Sequence, residues 1–352
     1  MDIESICVLA PPADHGGIGR YADQLNSRIE EQSDIEHIPF YEEIGALDVA
    51  QAAVRASHYD VVHIHFEYGL FRPKLLYAWL FFPLLFLGTR LRGTSVVVTL
   101  HEVWTTRTVG RIQYVYVWFV HLMLTGTASR LVFMSQSAKD DFRPRNITES
   151  ELIPHGVDID AVRDIGVSNA RDIFEYSTDE TVIAQIGYVS RRKGTDTFLE
   201  LARRHPEYEF LIAGGPLRDE DLPYFERVIR ESPENVQVTG VLSDASFHAA
   251  FVATDVAVLA YRDIRQSGIL NWCFAYGVPV ICRSIDRFRA LCARSAPLQL
   301  FGDGDEHPPI DTALSMVLDD AETRGPAMRD FGERYALSTI ADSYVRLYRS
   351  IR

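Results

Sequence analysis

Arg191-Arg192-Lys193-Gly194 sets three cations and a glycine between an apolar run, Val182–Ile186, and an amphipathic helical pattern. Cations beside a helix N-terminus suit an anionic phosphate, because open amides and charged side chains donate toward the same point. The four residues also read as a solvated basic turn, but their place at a strand's carboxyl end favours the phosphate. A second loop, Gly16-Gly17-Ile18-Gly19, follows the first apolar run and opens a helix. Glycines there let backbone approach a phosphate, although many α/β proteins use such a turn only to start a helix. No acidic residue closes the next run, His37-Ile38-Pro39-Phe40, so the loop departs from the dinucleotide fingerprint. A dehydrogenase is set aside.

His101 and Glu102 close a further apolar run, Val96–Leu100. Strand carboxyl ends form the ligand edge of an open α/β sheet, so this imidazole and carboxylate are candidates for substrate contact. A lone histidine is more often structural. His63, His65 and Glu67 share one face of a strand at period two and, with His101, make a candidate zinc set.

These residues need strands to carry them. Runs at Ile6–Ala10, Val61–His65, Val96–Leu100 and Leu131–Met134 alternate with helical patterns, the order of a parallel sheet covered on both faces. A helix over 17–29 places Ile18, Tyr21, Ala22, Leu25 and Ile29 on one face. A polar stretch near 160–180 reads as a linker. The alternation resumes through Val182–Ile186, Phe210–Ala213, Val236–Thr239, Val256–Ala260 and Val278–Cys282. A chain of 352 residues, 47% hydrophobic and 24% charged, can fill two α/β cores. No solenoid period or low-complexity tract interrupts it.

A formal net charge of −14 argues against a nucleic-acid partner. Only three of the 35 basic residues are lysines, Lys74, Lys139 and Lys193. That bias suits a high-salt cytoplasm, and a GC-rich genome produces it too. Cys7, Cys273, Cys282 and Cys292 show no CxxC spacing and read as reduced thiols of a cytosolic protein. Met1-Asp2-Ile3-Glu4 lacks the basic start of a signal peptide.

Two segments are unusually apolar, Leu75–Leu87 and Tyr114–Leu124. Each is shorter than the about 20 residues a bilayer span needs. Two readings stand. One is a buried helix pair. The other is a monotopic membrane surface, with Arg72, Lys74, Arg90 and Arg92 at headgroup level around Trp79, Phe81, Phe82 and Trp118.

The stretch from Gly187 to Pro216, GYVSRRKGTDTFLELARRHPEYEFLIAGGP, resembles the opening of the C-terminal domain of GT-B glycosyltransferases, above all the retaining family 4 enzymes. Other landmarks follow in the family's order: HGGIGRYADQL (His15–Leu25), DVVHIHF (Asp60–Phe66), VVVTLHE (Val96–Glu102), ELIPHGVD (Glu151–Asp158) and QSGILNWCFAYGVPVI (Gln266–Ile281). The resemblance covers nearly the whole chain. It implies an α/β protein of two Rossmann-like lobes whose parallel sheets face a cleft. Residues 1–165 would form an acceptor lobe and 166–337 a nucleotide-sugar lobe. Residues 338–352 would form a helix packing back on the first lobe.

The resemblance further implies transfer of a hexose-type sugar, with retention, from a nucleotide-diphosphate sugar to a glycan or lipid-linked acceptor. His101 would contact the sugar and Glu102 would orient the imidazole. Gly16, Gly17, Tyr188, Arg192, Lys193, Gly194 and the loop Gln266, Ser267, Gly268, Ile269 and Leu270 would hold the donor. Lobe closure would exclude water. The GT-B scaffold generally works without metal, so no metal or cofactor is expected. Asp303-Gly304-Asp305, which mimics the DxD of another glycosyltransferase fold, reads as a solvated loop. The setting would be the cytoplasm, at the inner face of the cell membrane.

The donor loop departs from the family. Its two spaced glutamates fall on Ile264 and Trp272, or one residue later on Arg265 and Cys273, and no glutamate occurs between Glu234 and Glu306. Tyr188 replaces the arginine usual after Gly187, leaving Arg191, Arg192 and Arg265 as substitutes. Two rival readings follow, a GT-B binding or scaffold subunit without donor chemistry and a sugar-nucleotide epimerase.

Overall fold

The computed structural model describes residues 5–351 except 42–43, 72–75, 145–148, 263–266, 303 and 305, and for 16, 17, 107 and 108 the backbone only. Arg72, Lys74, Leu75, Ile264, Arg265, Gln266, Asp303 and Asp305 therefore lie outside the described residues, as do 1–4. The chain divides into two compact units, Met1–Gly156 with Leu337–Arg352, and Val157–Ala336. The first change of unit falls ahead of the 165/166 boundary read from the sequence.

Among the described residues the first unit holds six strands: β1 Ile6–Ala10, β2 Ile35–Pro39, β3 Val61–Phe66, β4 Ser95–Leu100, β5 Arg130–Phe133 and β6 Ser150–Leu152. They form one parallel sheet in the order β2-β1-β3-β4-β5-β6. The inner strands are buried on both faces, which is why β3 and β4 read as near-continuous apolar runs. Alternate residues serve opposite cores. Cys7 and Leu9 pack under helices Ala46–Ala56, Ala78–Arg92 and Arg111–Thr127, while Ile6, Val8 and Ala10 pack under Gly16–Glu30 and the closing helix Leu337–Ser350.

The second unit repeats the plan with β7 Val182–Ile186, β8 Glu209–Ala213, β9 Val236–Val238, β10 Val256–Leu259, β11 Val280–Arg283 and β12 Gln299–Phe301. Their order is β12-β11-β10-β7-β8-β9, again parallel. Helices Thr195–Arg204 and Ile310–Leu318 cover one face, and Asp244–Ala253 and Gly268–Tyr276 the other. The α/β class and the two parallel sheets agree with expectation. The polar stretch read as a linker contains a short helix, Val167–Asp172.

The two apolar segments belong neither wholly to core nor wholly to surface. On helix Ala78–Arg92, Phe81, Phe82 and Leu85 are fully buried, whereas Leu76 just before it, Trp79, Leu87 and Leu91 are exposed. On helix Arg111–Thr127, Val117, Val120 and Leu124 are buried while Ile112, Tyr116, Trp118 and Phe119 are exposed. The helices pack together, with the Trp79 and Phe119 ring centroids 5.7 Å apart. Phe81 and Phe82, grouped by sequence with a membrane-facing set, are core residues. An i, i+3, i+4 stripe turns them inward, and Trp79 turns out. Among the described residues no helix is long and apolar enough to cross a membrane.

The closing helix is tied to the first sheet by a buried polar chain. His63 Nδ1 is 2.7 Å from the Tyr348 hydroxyl, and His63 Nε2 is 2.8 Å from Thr99 Oγ1. Thr99 Oγ1 in turn lies 2.9 Å from the Tyr344 hydroxyl. Replacing Tyr348 by Phe keeps the ring and strands one buried His63 nitrogen, which costs about 1–3 kcal/mol. Urea unfolding of Tyr348→Phe should show that loss; a stability equal to wild type would mean that the chain does not anchor the helix.

Candidate functional site

Each sheet reverses its strand order once, between β1 and β3 in the first unit and between β7 and β10 in the second. The crossover connections leave in opposite directions there and open a crevice beyond the strand ends, where α/β sheets bind ligands. The chemistry-bearing residues of both units gather at these places.

In the second unit Gly187 follows β7, and Tyr261 lies just beyond β10. Lys193 donates from Nζ to the Tyr261 hydroxyl at 2.9 Å and lies 4.4 Å from the ring centroid. Burial, reinforced by the Arg192 charge, pushes the Lys193 ammonium down to about 8. Gly194 has φ +71°, and a Cβ there would stand 2.1 Å from the Ala260 carbonyl oxygen. The basic turn is thus pressed onto the end of β10, a closeness that glycine alone permits. The Arg262 amide donates to the Arg192 carbonyl at 2.9 Å, while the Arg192 side chain is exposed.

Helix Gly268–Tyr276 points its amino end at the same place. A Cβ on Gly187 would fall 2.9 Å from Ile269 and 3.7 Å from Lys193 Nζ, so the sequence-predicted Lys193 and Ile269 both neighbour Gly187, which was not predicted. Tyr188 stands beside them, half-exposed. Ser267 caps the helix, its Oγ accepting from the Leu270 amide at 3.1 Å. Leu270 is thereby withdrawn from the expected donor contacts: its N–H serves the cap and its side chain is core. Helix geometry leaves the amides of Gly268 and Ile269 without intrahelical acceptors. Gln266 lies outside the described residues. Cation, first-turn amides and small residues together suit a diphosphate.

In the first unit Gly16 and Gly17 form the first turn of helix Gly16–Glu30. Gly19 has a packing reason, since a Cβ there would lie 2.0 Å from the Pro12 carbonyl oxygen. His101 follows β4, buried, with Nε2 3.0 Å from His65 Nδ1. Burial holds both imidazoles well below the usual histidine range, and each lowers the other or is lowered by a neighbouring imidazole. Both are neutral at ordinary pH. Glu102, expected to orient the His101 ring, accepts from the Trp104 indole N–H.

The loop after His101 is held from below. His121 Nδ1 lies 2.8 Å from the Arg143 carbonyl, which can only accept, so Nδ1 carries the proton. Nε2 then accepts from the Tyr68 hydroxyl at 2.6 Å, and that oxygen accepts the Trp104 amide at 3.1 Å. Tyr68 and Trp104 stack at 4.4 Å. Helix Arg111–Thr127 and the segment after His101 are therefore joined through fixed donors and acceptors.

A zinc reading of the histidines fails on their partners. His63 has both ring nitrogens engaged, by Thr99 and Tyr348. Among the described residues no group of three or more His, Cys, Asp or Glu could hold a metal. Sequence reasoning missed Tyr261, Tyr68, His121, Tyr344 and Tyr348. Of these only Tyr261 carried a usable signal, its place directly after an apolar strand.

The profile of Glycosyltransferase Family 4 matches residues 37–161, within the first unit. The processive diacylglycerol alpha-glucosyltransferase of Acholeplasma laidlawii is 22% identical over 172 residues, covering 47% of this chain and 52% of that protein. The alpha-galactosylglucosyldiacylglycerol synthase of Streptococcus pneumoniae is 23% identical over 119 residues, 33% of this chain and 32% of that protein. The matches thus span about half and about a third of these curated relatives' lengths. Anabaena Alr3699/HepE, solved with UDP and glucose, superposes with a TM-score of 0.75 at 14% identity, covering 99% of this chain and 100% of that one. The chain is thus similar to family 4 glycosyltransferases over residues 37–161 and shares its two-sheet fold with solved GT-B glycosyltransferases.

Proposed function

We propose that this protein transfers a hexose-type sugar, with retention, from a nucleotide-diphosphate sugar to a lipid-linked or glycan acceptor at the inner face of the cell membrane. The observation that carries the reading is the meeting of Lys193, Gly187 and the amino end of helix Gly268–Tyr276 at the switch point of the second sheet. Lys193 and the Gly268 and Ile269 amides stabilise the departing diphosphate, where negative charge grows in the transition state. Ser267 holds the helix start, and Tyr188, Arg192 and Gly194 complete the donor side. His101, kept neutral, contacts the transferred sugar, with Glu102 beside it. Gly16 and Gly17 add a helix start in the first unit. These groups supply positive charge without a bound metal.

A lipid acceptor is supported by the diacylglycerol glycosyltransferases among the relatives. It is supported also by the outer faces of helices Ala78–Arg92 and Arg111–Thr127. Exposed Trp79, Trp118, Phe119 and Leu87 lie there, with Arg90 and Arg92 in the last turn of the first helix. Contiguous apolar surface rimmed by cations suits a membrane interface. The absence of any glutamate from 235 to 305 favours a second reading, a subunit that binds nucleotide without transferring sugar.

Lys193→Ala should weaken nucleoside-diphosphate binding about 10- to 100-fold, the worth of one hydrogen bond to a charged group, with melting unchanged. A bound phosphate stabilises the ammonium, so binding takes up a proton once the free lysine titrates. Wild-type affinity should be level below pH 8 and fall above it, while Lys193→Arg should stay level. Calorimetric titration across pH checks both, and equal affinities for wild type and Lys193→Ala would remove Lys193 from the site.

His101→Ala should lower kcat more than it raises KM for the donor, the mark of a contact that strengthens in the transition state. Wild-type turnover would return His101 to a structural role, and bound nucleotide with no turnover in wild type would support the second reading.

Trp79→Ser with Trp118→Ser should release the protein from anionic vesicles while its melting temperature holds. Phe81→Ser should cost about 3–5 kcal/mol of stability, because it empties a core position. Flotation read beside melting separates the two, and unaltered flotation of the double tryptophan variant would remove the membrane assignment from this face.

A further inference from the structure

Tyr261 follows β10 and is fully buried, its ring centroid 6.0 Å from that of Phe288. Its hydroxyl meets two elements at once. Lys193 donates to it from Nζ at 2.9 Å, and the Ser267 hydroxyl hydrogen-bonds the same oxygen. Ser267 Oγ in turn accepts the Leu270 amide at 3.1 Å. One phenol therefore joins the basic turn to the first turn of helix Gly268–Tyr276.

Packing alone does not call for that oxygen. A phenylalanine ring would fill the same space, and a buried hydroxyl costs stability unless it is hydrogen-bonded. What the oxygen adds is a fixed point, at the end of an inner strand, for the ammonium and the helix cap together. An ammonium has three N–H donors, so one spent on Tyr261 leaves two for an anion. A lysine already held against a buried ring has less rotamer freedom to lose when that anion arrives.

We propose that Tyr261 is a positioning residue, whose hydroxyl holds the Lys193 ammonium and the start of helix Gly268–Tyr276 as one cradle before a ligand arrives. The consequence for binding rests on the reading of Lys193 as a diphosphate contact. The hold on the lysine can be measured by its titration. Burial, then the Arg192 charge, lowers the Lys193 ammonium to about 8. Arg192 lies on the same turn. The groups that face Lys193 from other elements are the Tyr261 and Ser267 hydroxyls, with Gly187 and the half-exposed Tyr188 phenol beyond β7. Burial pushes the Tyr261 hydroxyl above its ordinary range, so it stays protonated while Lys193 titrates. An acceptor on the ammonium favours the charged form, and its removal lowers the lysine further.

The chain has three lysines, so nitrogen-15 lysine labelling of the full-length protein gives few Nζ signals, and the one lost in Lys193→Arg belongs to Lys193. Wild-type Lys193 should titrate near pH 8, and its side-chain protons should show close contacts with the Tyr261 ring. Tyr261→Phe should lower that midpoint by about one pH unit. The same variant should bind UDP, ADP or GDP about tenfold more weakly at neutral pH, while the matching phosphate-free nucleoside binds as to wild type. An unmoved midpoint overturns the proposal, as do equal, measurable diphosphate affinities for Tyr261→Phe and wild type. An equal loss for the nucleoside also overturns it, since a damaged fold would weaken both. Absence of contacts between Lys193 and Tyr261 in wild type does so without any variant. If the midpoint moves as stated and neither protein binds a nucleoside diphosphate, the positioning of Lys193 stands and the diphosphate reading falls.

Discussion

A parallel sheet delivers every strand's carboxyl end to the same edge, and a sheet that reverses its strand order once must open a crevice on that edge. This constraint acts twice in the chain, and the rest of the structure answers to it. In the second unit the reversal lies between β7 and β10, so a residue six beyond Gly187 comes to rest on a tyrosine that follows β10. The contact is possible because Gly194 lets the basic turn lie against Ala260 without a side chain between them. The ammonium sits there partly desolvated, held by a hydroxyl and a ring face. That poise makes it responsive to an anion, since a phosphate restores the charge stabilisation that burial removed.

The first unit uses the same edge differently. Its histidines are buried and neutral. His63 spends both nitrogens tying β3 to β4 and to the closing helix. His65 Nδ1 lies 3.0 Å from His101 Nε2. Beneath the segment after His101, Tyr68 joins the Trp104 amide to His121 on helix Arg111–Thr127. That helix also carries exposed Trp118 and Phe119, so one element contributes both to the support of the site and to the apolar surface.

Much of this was legible in the residues. The inner strands, buried on both faces, read as apolar runs and were found. The edge strand Gln299–Phe301 was not read, although the equally short edge strand Val236–Val238 was. The basic turn was singled out by its charge and its place after a strand, and Ile269 by the family resemblance, whereas Gly187 was not named as a site residue. Tyr261 escaped because a tyrosine after a strand says nothing of its hydroxyl's partner. Tyr344 and Tyr348 meet His63 across 281 and 285 positions of chain, and no local pattern carries such a pairing. Phe81 and Trp79 were placed together because a helix apolar all round has no hydrophobic stripe to read. Only packing separates its faces.

The central claim is sugar transfer from a nucleotide donor at the Lys193 site to an acceptor presented at a membrane. The most direct test incubates the protein with diacylglycerol-containing anionic vesicles and a panel of nucleotide-diphosphate hexoses, then weighs the vesicle lipids by mass spectrometry. The account predicts a lipid heavier by one hexose for at least one donor, formed by wild type and lost with Lys193→Ala. Unchanged vesicle lipids with every donor, or a glycolipid formed equally by Lys193→Ala, would contradict it.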